Sequence, residues 1–242
     1  MRTPHNLLQV SENCESCRLR QHGFFCEVDR CSLKNFDRIK HLSAYSKGAV
    51  LFVENEPPRG IFLLCQGEVK LSLSSADGKT LTLRIAKPGE ILGLMAAITG
   101  APYEATARTV KPSQVAFVRR DDFLKFTKEH PVVYEKVLHQ IAASYAQACE
   151  QLRSVGLFPV ATRLARVLLE WSSVAAETGS VSPSGPCVTV PLTHGEIGEL
   201  IGTTRETVNR TLRDFTERRL ITLDGPALTI HNRKALEKLA AA

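Results

Sequence analysis

No apolar run in this 242-residue chain approaches the roughly 20 residues needed to span a bilayer. The opening MRTPHNLLQVSENCESC also lacks the uninterrupted apolar core of a signal peptide. Both absences predict a cytoplasmic protein with no membrane partner. A reducing compartment disfavours disulfides, and seven cysteines cannot all pair with one another. Metal binding or thiol chemistry is the better expectation for them. Walker, His-Glu-x-x-His and serine-nucleophile motifs are missing too, and Cys14-x2-Cys17 has no βαβ context for a redox dithiol. The chain is therefore not expected to be an enzyme.

With 43% hydrophobic and 23% charged residues the composition is that of a globular protein, which excludes wholesale disorder. The length suits two domains. A net charge of +6 permits nucleic-acid binding without establishing it. Between Leu192 and Arg219 five arginines stand against five acidic residues, so an argument for DNA must rest on pattern.

Residues 1–33 are polar, carry four cysteines and show no sustained period. They read as an arm ordered by whatever the cysteines bind. A short helix is expected from Leu33. Between Gly48 and Phe126 the short apolar runs AVLFV, IFLLCQGEVKLSL, TLTLRI and SQVAFV, punctuated by Gly, Pro and Asp-Gly, predict a compact β-roll over 34–126. Val69, Leu71 and Leu73 alternate with polar residues, and Asp77-Gly78 predicts a type I′ hairpin turn before Thr80. Beyond Pro131, Tyr134, Leu138, Ile141, Tyr145, Ala148, Leu152 and Val155 are spaced alternately four and three residues apart. That seam predicts a dimerisation helix within 127–158, pairing with a second copy. Gly156 and Pro159 end it, a helix resumes over Ala161 to Val174, and a loop from Glu177 to Pro186 precedes a strand from Val188.

The strongest functional pattern is LTHGEIGELIGTTRETVNRTLRDFTERRLI, starting at Leu192. Thr193 with Glu196 forms a capping box, Ile197, Leu200 and Ile201 face inward, and Gly202 ends the helix. Thr203 with Glu206 predicts a second capping box. Val208 and Leu212 then turn inward while Arg205, Glu206, Asn209 and Arg210 stay outside. Those are the side chains a DNA-reading helix needs: arginine donates twice to guanine, glutamate accepts from cytosine, and Thr203 or Thr204 can bond phosphate. Leu220 to Leu223, Asp224-Gly225 and Ala227 to Ile230 predict a two-stranded wing, completing a winged helix-turn-helix over 159–242.

HGEIGELIGTTRETVNRTL resembles the DNA-binding signature of the Crp/Fnr family, and FLLCQGEVKL and KPGEILGLMAAITG resemble that family's roll. The resemblance covers nearly the whole chain. It implies an α+β protein: a cyclic-nucleotide-binding-like β-roll, a long dimerisation helix and a C-terminal winged helix-turn-helix. It also implies a homodimeric transcription regulator on a two-fold symmetric double-stranded DNA site, with RNA polymerase as a further partner. Arg205, Glu206 and Arg210 fall at base-contacting positions and Asn209 at a more variable one. Where cyclic-AMP-binding members place a glutamate this chain has Leu94. Where they place an arginine-serine pair it has Glu104-Ala105, so a cyclic phosphate would meet a carboxylate. Cyclic AMP is therefore disfavoured.

Cys14, Cys17, Cys26 and Cys31 follow C-x2-C-x8-C-x4-C, enough thiolates for one iron-sulfur cluster or one structural zinc, which spacing does not separate. Placed before the roll, they resemble the arm of oxygen-sensing Fnr-type regulators. Those regulators space their cysteines more tightly and take a fourth ligand where this chain has Ala116; Cys31 could substitute. Cys65, with Ile61 and Leu63 on its face, reads as a core cysteine. Oxygen, nitric oxide or redox state is the expected signal.

Overall fold

The structure, a computed structural model, describes Cys14, Cys17 and residues 28–177, 181–182, 185–189, 192–224 and 227–241. Apart from Cys14 and Cys17, the arm before residue 28 lies outside that set. The chain divides into two compact units, residues 1–148 and 149–242. None of the described helices is long and apolar enough to cross a membrane.

The first unit begins with helix α1 (Arg30–Ile39), capped by Asp29, whose carboxylate accepts from the backbone of Cys31 and Ser32. Strands β1 (Lys40–Tyr45), β2 (Val50–Phe52), β3 (Gly60–Gln66), β4 (Val69–Ser74), β5 (Thr80–Ala86) and β6 (Ile91–Leu92) follow. Helix α2 (Leu94–Thr99), strands β7 (Thr106–Thr109) and β8 (Ser113–Arg119) and helix α3 (Arg120–Glu129) complete the series, and the long helix α4 (Pro131–Leu157) starts in this unit and ends in the second. The strands form two antiparallel sheets, ordered β1-β8-β3-β6 and β2-β7-β4-β5.

Strand β3 shows why the segment GIFLLCQ has no polar alternation. Ile61 and Leu63 join a core with Leu33, Phe36, Phe123, Phe126, Val133 and Val137 of the helices, while Phe62 and Leu64 join Phe52, Val69, Tyr103 and Val115 between the sheets. Both faces are covered, so both must be apolar. Strand β8 divides alike, Ala116 and Val118 to the first core and Val115 to the second. Cys65 is half-buried and packs against the first core, on the Ile61 and Leu63 side. Helix α4 lays Val133 and Val137 on that core, and the Gln140 amide donates to the Ile91 carbonyl at 2.7 Å.

Three sequence expectations change. The hairpin after β4 has a three-residue loop: Ser75 N–H donates to Lys79 O at 2.9 Å, and Gly78 but not Asp77 has positive φ. A type I′ turn needs both. Strand β1 falls within the expected roll but ahead of Gly48, where the strand-like apolar runs begin; its weak burial alternation is that of an edge strand made by pairing with β8. The helix expected from Leu33 begins at Arg30, so Cys31 stands in its first turn.

In the second unit α5 (Val160–Glu177) is followed by β9 (Val181–Ser182), β10 (Gly185–Thr189), α6 (His194–Ile201), α7 (Arg205–Glu217), β11 (Ile221–Asp224), β12 (Ala227–Ile230) and α8 (Arg233–Ala241). The strands order as β11-β12-β10-β9, so the expected wing pair β11 and β12 is extended by β10, which starts earlier than Val188. Gly225, in the expected wing turn, lies outside the described residues. The core beneath is built from Leu164, Leu168, Ile197, Ile201, Val208, Leu212, Phe215, Leu228 and Leu236.

Candidate nucleic-acid interface

Helix α6 starts where its chemistry says it should. The Thr193 hydroxyl accepts from Glu196 N–H, and the Glu196 carboxylate accepts from Thr193 N–H at 2.8 Å, closing the capping box. Gly202 ends the helix at φ 64°. At Gly198 an added Cβ would lie 2.8 Å from the Thr203 carbonyl oxygen, so the bare backbone lets the turn close over α6.

The second cap is one residue later than the sequence suggested. Thr204 is the N-cap of α7, its hydroxyl accepting from Thr207 N–H at 3.3 Å, while Thr203 sits half-buried in the turn. Two adjacent threonines offer the same hydroxyl, and helix phase decides which one faces the open N–H groups. Glu206 is thus at the second position of the helix, one short of the place a capping box requires. Its carboxyl is held below the usual range by its own backbone N–H, then by the Thr204 hydroxyl and the Arg205 charge. It remains an anion, an acceptor only, at neutral pH.

Val208, Leu212 and Phe215 are buried and fix the rotation of α7. Arg205, Glu206, Asn209, Arg210 and Arg213 are left exposed. Five of the six named candidates, Thr204, Arg205, Glu206, Asn209 and Arg210, therefore gather on the outer side and N-terminal end of one rigid helix.

Residues that the pattern did not single out complete the site. His194, first in α6, places Nδ1 against Asn209 Oδ1. Arg163 of α5, itself buried, donates to the carbonyls of Ile201 and, at 3.4 Å, Gly202; Gln151 of α4 donates to Leu200 O at 2.8 Å. The last carbonyls of α6 are thus satisfied by side chains distant in sequence.

In the roll, Leu94 and Ala105 are buried and Glu104 is exposed. Tyr103 stacks on Phe52 at 4.1 Å, and its hydroxyl donates to Gly60 O at 2.9 Å and accepts from Arg59 N–H at 3.1 Å. No arginine among the described residues of this unit is buried.

Of the four arm cysteines, Cys14 and Cys17 are half-buried, Cys31 is exposed, and Cys26 lies outside the described residues. Cys14 packs against the helix-side core, with Lys40 Nζ donating to its Sγ at 3.0 Å. Burial pushes its thiol up to about 11, against the opposing pull of Lys40. Among the described residues no three His, Cys, Asp or Glu side chains cluster as a metal site.

The fold defines a two-part molecule, a β-roll and a helix-turn-helix. The chain matches the cyclic nucleotide-binding domain over residues 42–130 and the Crp-like helix-turn-helix domain over 162–239. It is 26% identical over 222 residues to the CRP-like cAMP-activated global transcriptional regulator of Mycobacterium tuberculosis, covering 92% of this chain and 98% of that protein. To the global nitrogen regulator of Synechococcus elongatus it is 27% identical over 201 residues, covering 81% and 88%. The solved structure of the c-di-GMP responsive global regulator CLP of Xanthomonas campestris shares the fold at TM-score 0.74 and 19% identity, over 84% of this chain and 99% of that one. The chain belongs to the Crp/Fnr family of transcriptional regulators.

Proposed function

We propose that this protein is a cytoplasmic homodimer that regulates transcription by reading a two-fold symmetric site in double-stranded DNA through α7. One observation carries the reading: buried Val208, Leu212 and Phe215 fix α7 so that Arg205, Glu206, Asn209 and Arg210 all stay exposed. Arg205 and Arg210 donate to guanine O6 and N7, Glu206 accepts from cytosine N4, and Thr203 or Thr204 bonds phosphate at the open end of the helix. The α4 stripe supports the dimer, since Tyr134, Leu138 and Leu152 are more than half exposed in the single chain. RNA polymerase is a further partner of the bound dimer in this reading. Replacing Arg205 or Arg210 by alanine should cost about 1 to 3 kcal/mol on the cognate site and relax preference at one base pair each. Unchanged binding of both variants at matched salt overturns the assignment.

The signal enters through the arm in this reading. Cys14, Cys17, Cys26 and Cys31 bind an iron-sulfur cluster labile to oxygen or nitric oxide, the donor set suiting either such a cluster or zinc. Ligation at Cys14, whose backbone N–H donates to the Asp37 carboxylate of α1, would join the arm to the roll. The interior around Tyr103 disfavours cyclic AMP as effector. Anaerobic protein should show visible absorbance with iron and sulfide, lose it in air, and lack it after Cys14→Ser or Cys17→Ser. Colourless protein with stoichiometric zinc removes the cluster and leaves the DNA reading standing.

A further inference from the structure

One side-chain contact ties the start of α6 to the outer face of α7. His194 Nδ1 meets Asn209 Oδ1, and because an amide oxygen only accepts, Nδ1 carries the proton and donates. Both ends of the contact are fixed. Thr193, the residue before His194, is fixed by its capping box with Glu196, and Val208, the residue before Asn209, is buried.

We propose that His194 is a positioning residue for DNA reading, holding the Asn209 amide with its oxygen toward α6 and its NH2 outward as a hydrogen-bond donor to a base. The proposal rests on the α7 reading above and adds a residue and a polarity to it. An unheld asparagine amide presents either edge: its oxygen can accept from cytosine N4, or its NH2 can donate to guanine O6 or N7, adenine N7 or thymine O4. With Oδ1 engaged by His194, the edge left for the groove is the donor. Cytosine, whose N4 amine only donates, is the base this arrangement rejects.

The test is a set of full-length variants bound to a two-fold site randomised one base pair at a time, at matched salt. The pair addressed by Asn209 is the one whose preference collapses in Asn209→Ala. There the wild type should favour an acceptor base over cytosine by about tenfold. His194→Ala should flatten that preference at that pair alone, and His194→Gln, which restores an N–H donor, should recover part of it. A His194→Ala profile identical to wild type, or a loss of affinity equal at every position, overturns the proposal. Arg205→Ala in the same assay separates the two failures: if it too leaves every position unchanged, the reading of α7 itself falls.

Discussion

Gly198 carries no side chain because none fits: a Cβ there would press on the backbone of Thr203 and Thr204, which cannot yield without opening the turn. Gly198→Ala should therefore cost about 1 to 3 kcal/mol and weaken DNA binding, while Gly195→Ala, whose Cβ meets nothing nearer than Thr193 Oγ1 at 3.9 Å, should leave stability unchanged or raise it. Thermal unfolding of the pair checks this, and equal midpoints would refute it. Cys14 makes a second residue-scale case. Its folded thiol is raised to about 11 from an ordinary 9.0, so the metal-free folded chain holds that proton more tightly than the unfolded chain does. The stabilisation is fully present below pH 9.0 and is lost as pH rises toward about 11. Because only thiolate reacts, iodoacetamide at pH 8 should label exposed Cys31 and Cys149 well before Cys14, as peptide mass mapping would show. Equal labelling rates would place the Cys14 thiol elsewhere.

Helices α6 and α7 were legible in the sequence because their signals are local: Thr193 and Glu196 are three residues apart, and Val208 and Leu212 one turn apart. What the sequence concealed depends on partners far along the chain. Strand β1 exists through β8, and the apolar run of β3 is divided between two cores that no window along the chain displays. The cap of α7 moved by one residue, since choosing between Thr203 and Thr204 needs the helix phase. Arg163 is hidden for the same reason. It lies on a helix with apolar neighbours, yet its guanidinium serves the carbonyls of Ile201 and Gly202, 38 and 39 residues away. Arg163→Met should leave those carbonyls without this donor, lowering stability by about 1 to 3 kcal/mol. Amide exchange should quicken through the turn from Gly202 to Thr204. Protection equal to wild type there would mean that Gly202 holds the end of α6 unaided.

For the whole molecule, the question is what covers α4. Val133 and Val137 are buried and Ile141 leans on the same core, so a lysine at Ile141 would injure the roll together with any dimer. Leu138 is the cleaner probe, 51% exposed on the seam that continues through Tyr145 and Leu152, at 72% and 75%. Leu138→Glu should yield a folded monomer by sedimentation. The proposed dimer also sets a DNA geometry that can be tested. Two copies of α7 related by a two-fold axis can enter successive major grooves on one face of the duplex only when half-sites lie about 10 base pairs apart. Inserting about 5 base pairs between half-sites carries the second to the opposite face, so a rigid dimer keeps one half-site and loses the other. Wild-type affinity should collapse on the inserted site, whereas the Leu138→Glu monomer, bound weakly to single half-sites, should not distinguish the two DNAs. A wild-type protein indifferent to the insertion would show that its two reading helices are not held at a fixed distance. The exposed stripe of α4 would then need another partner.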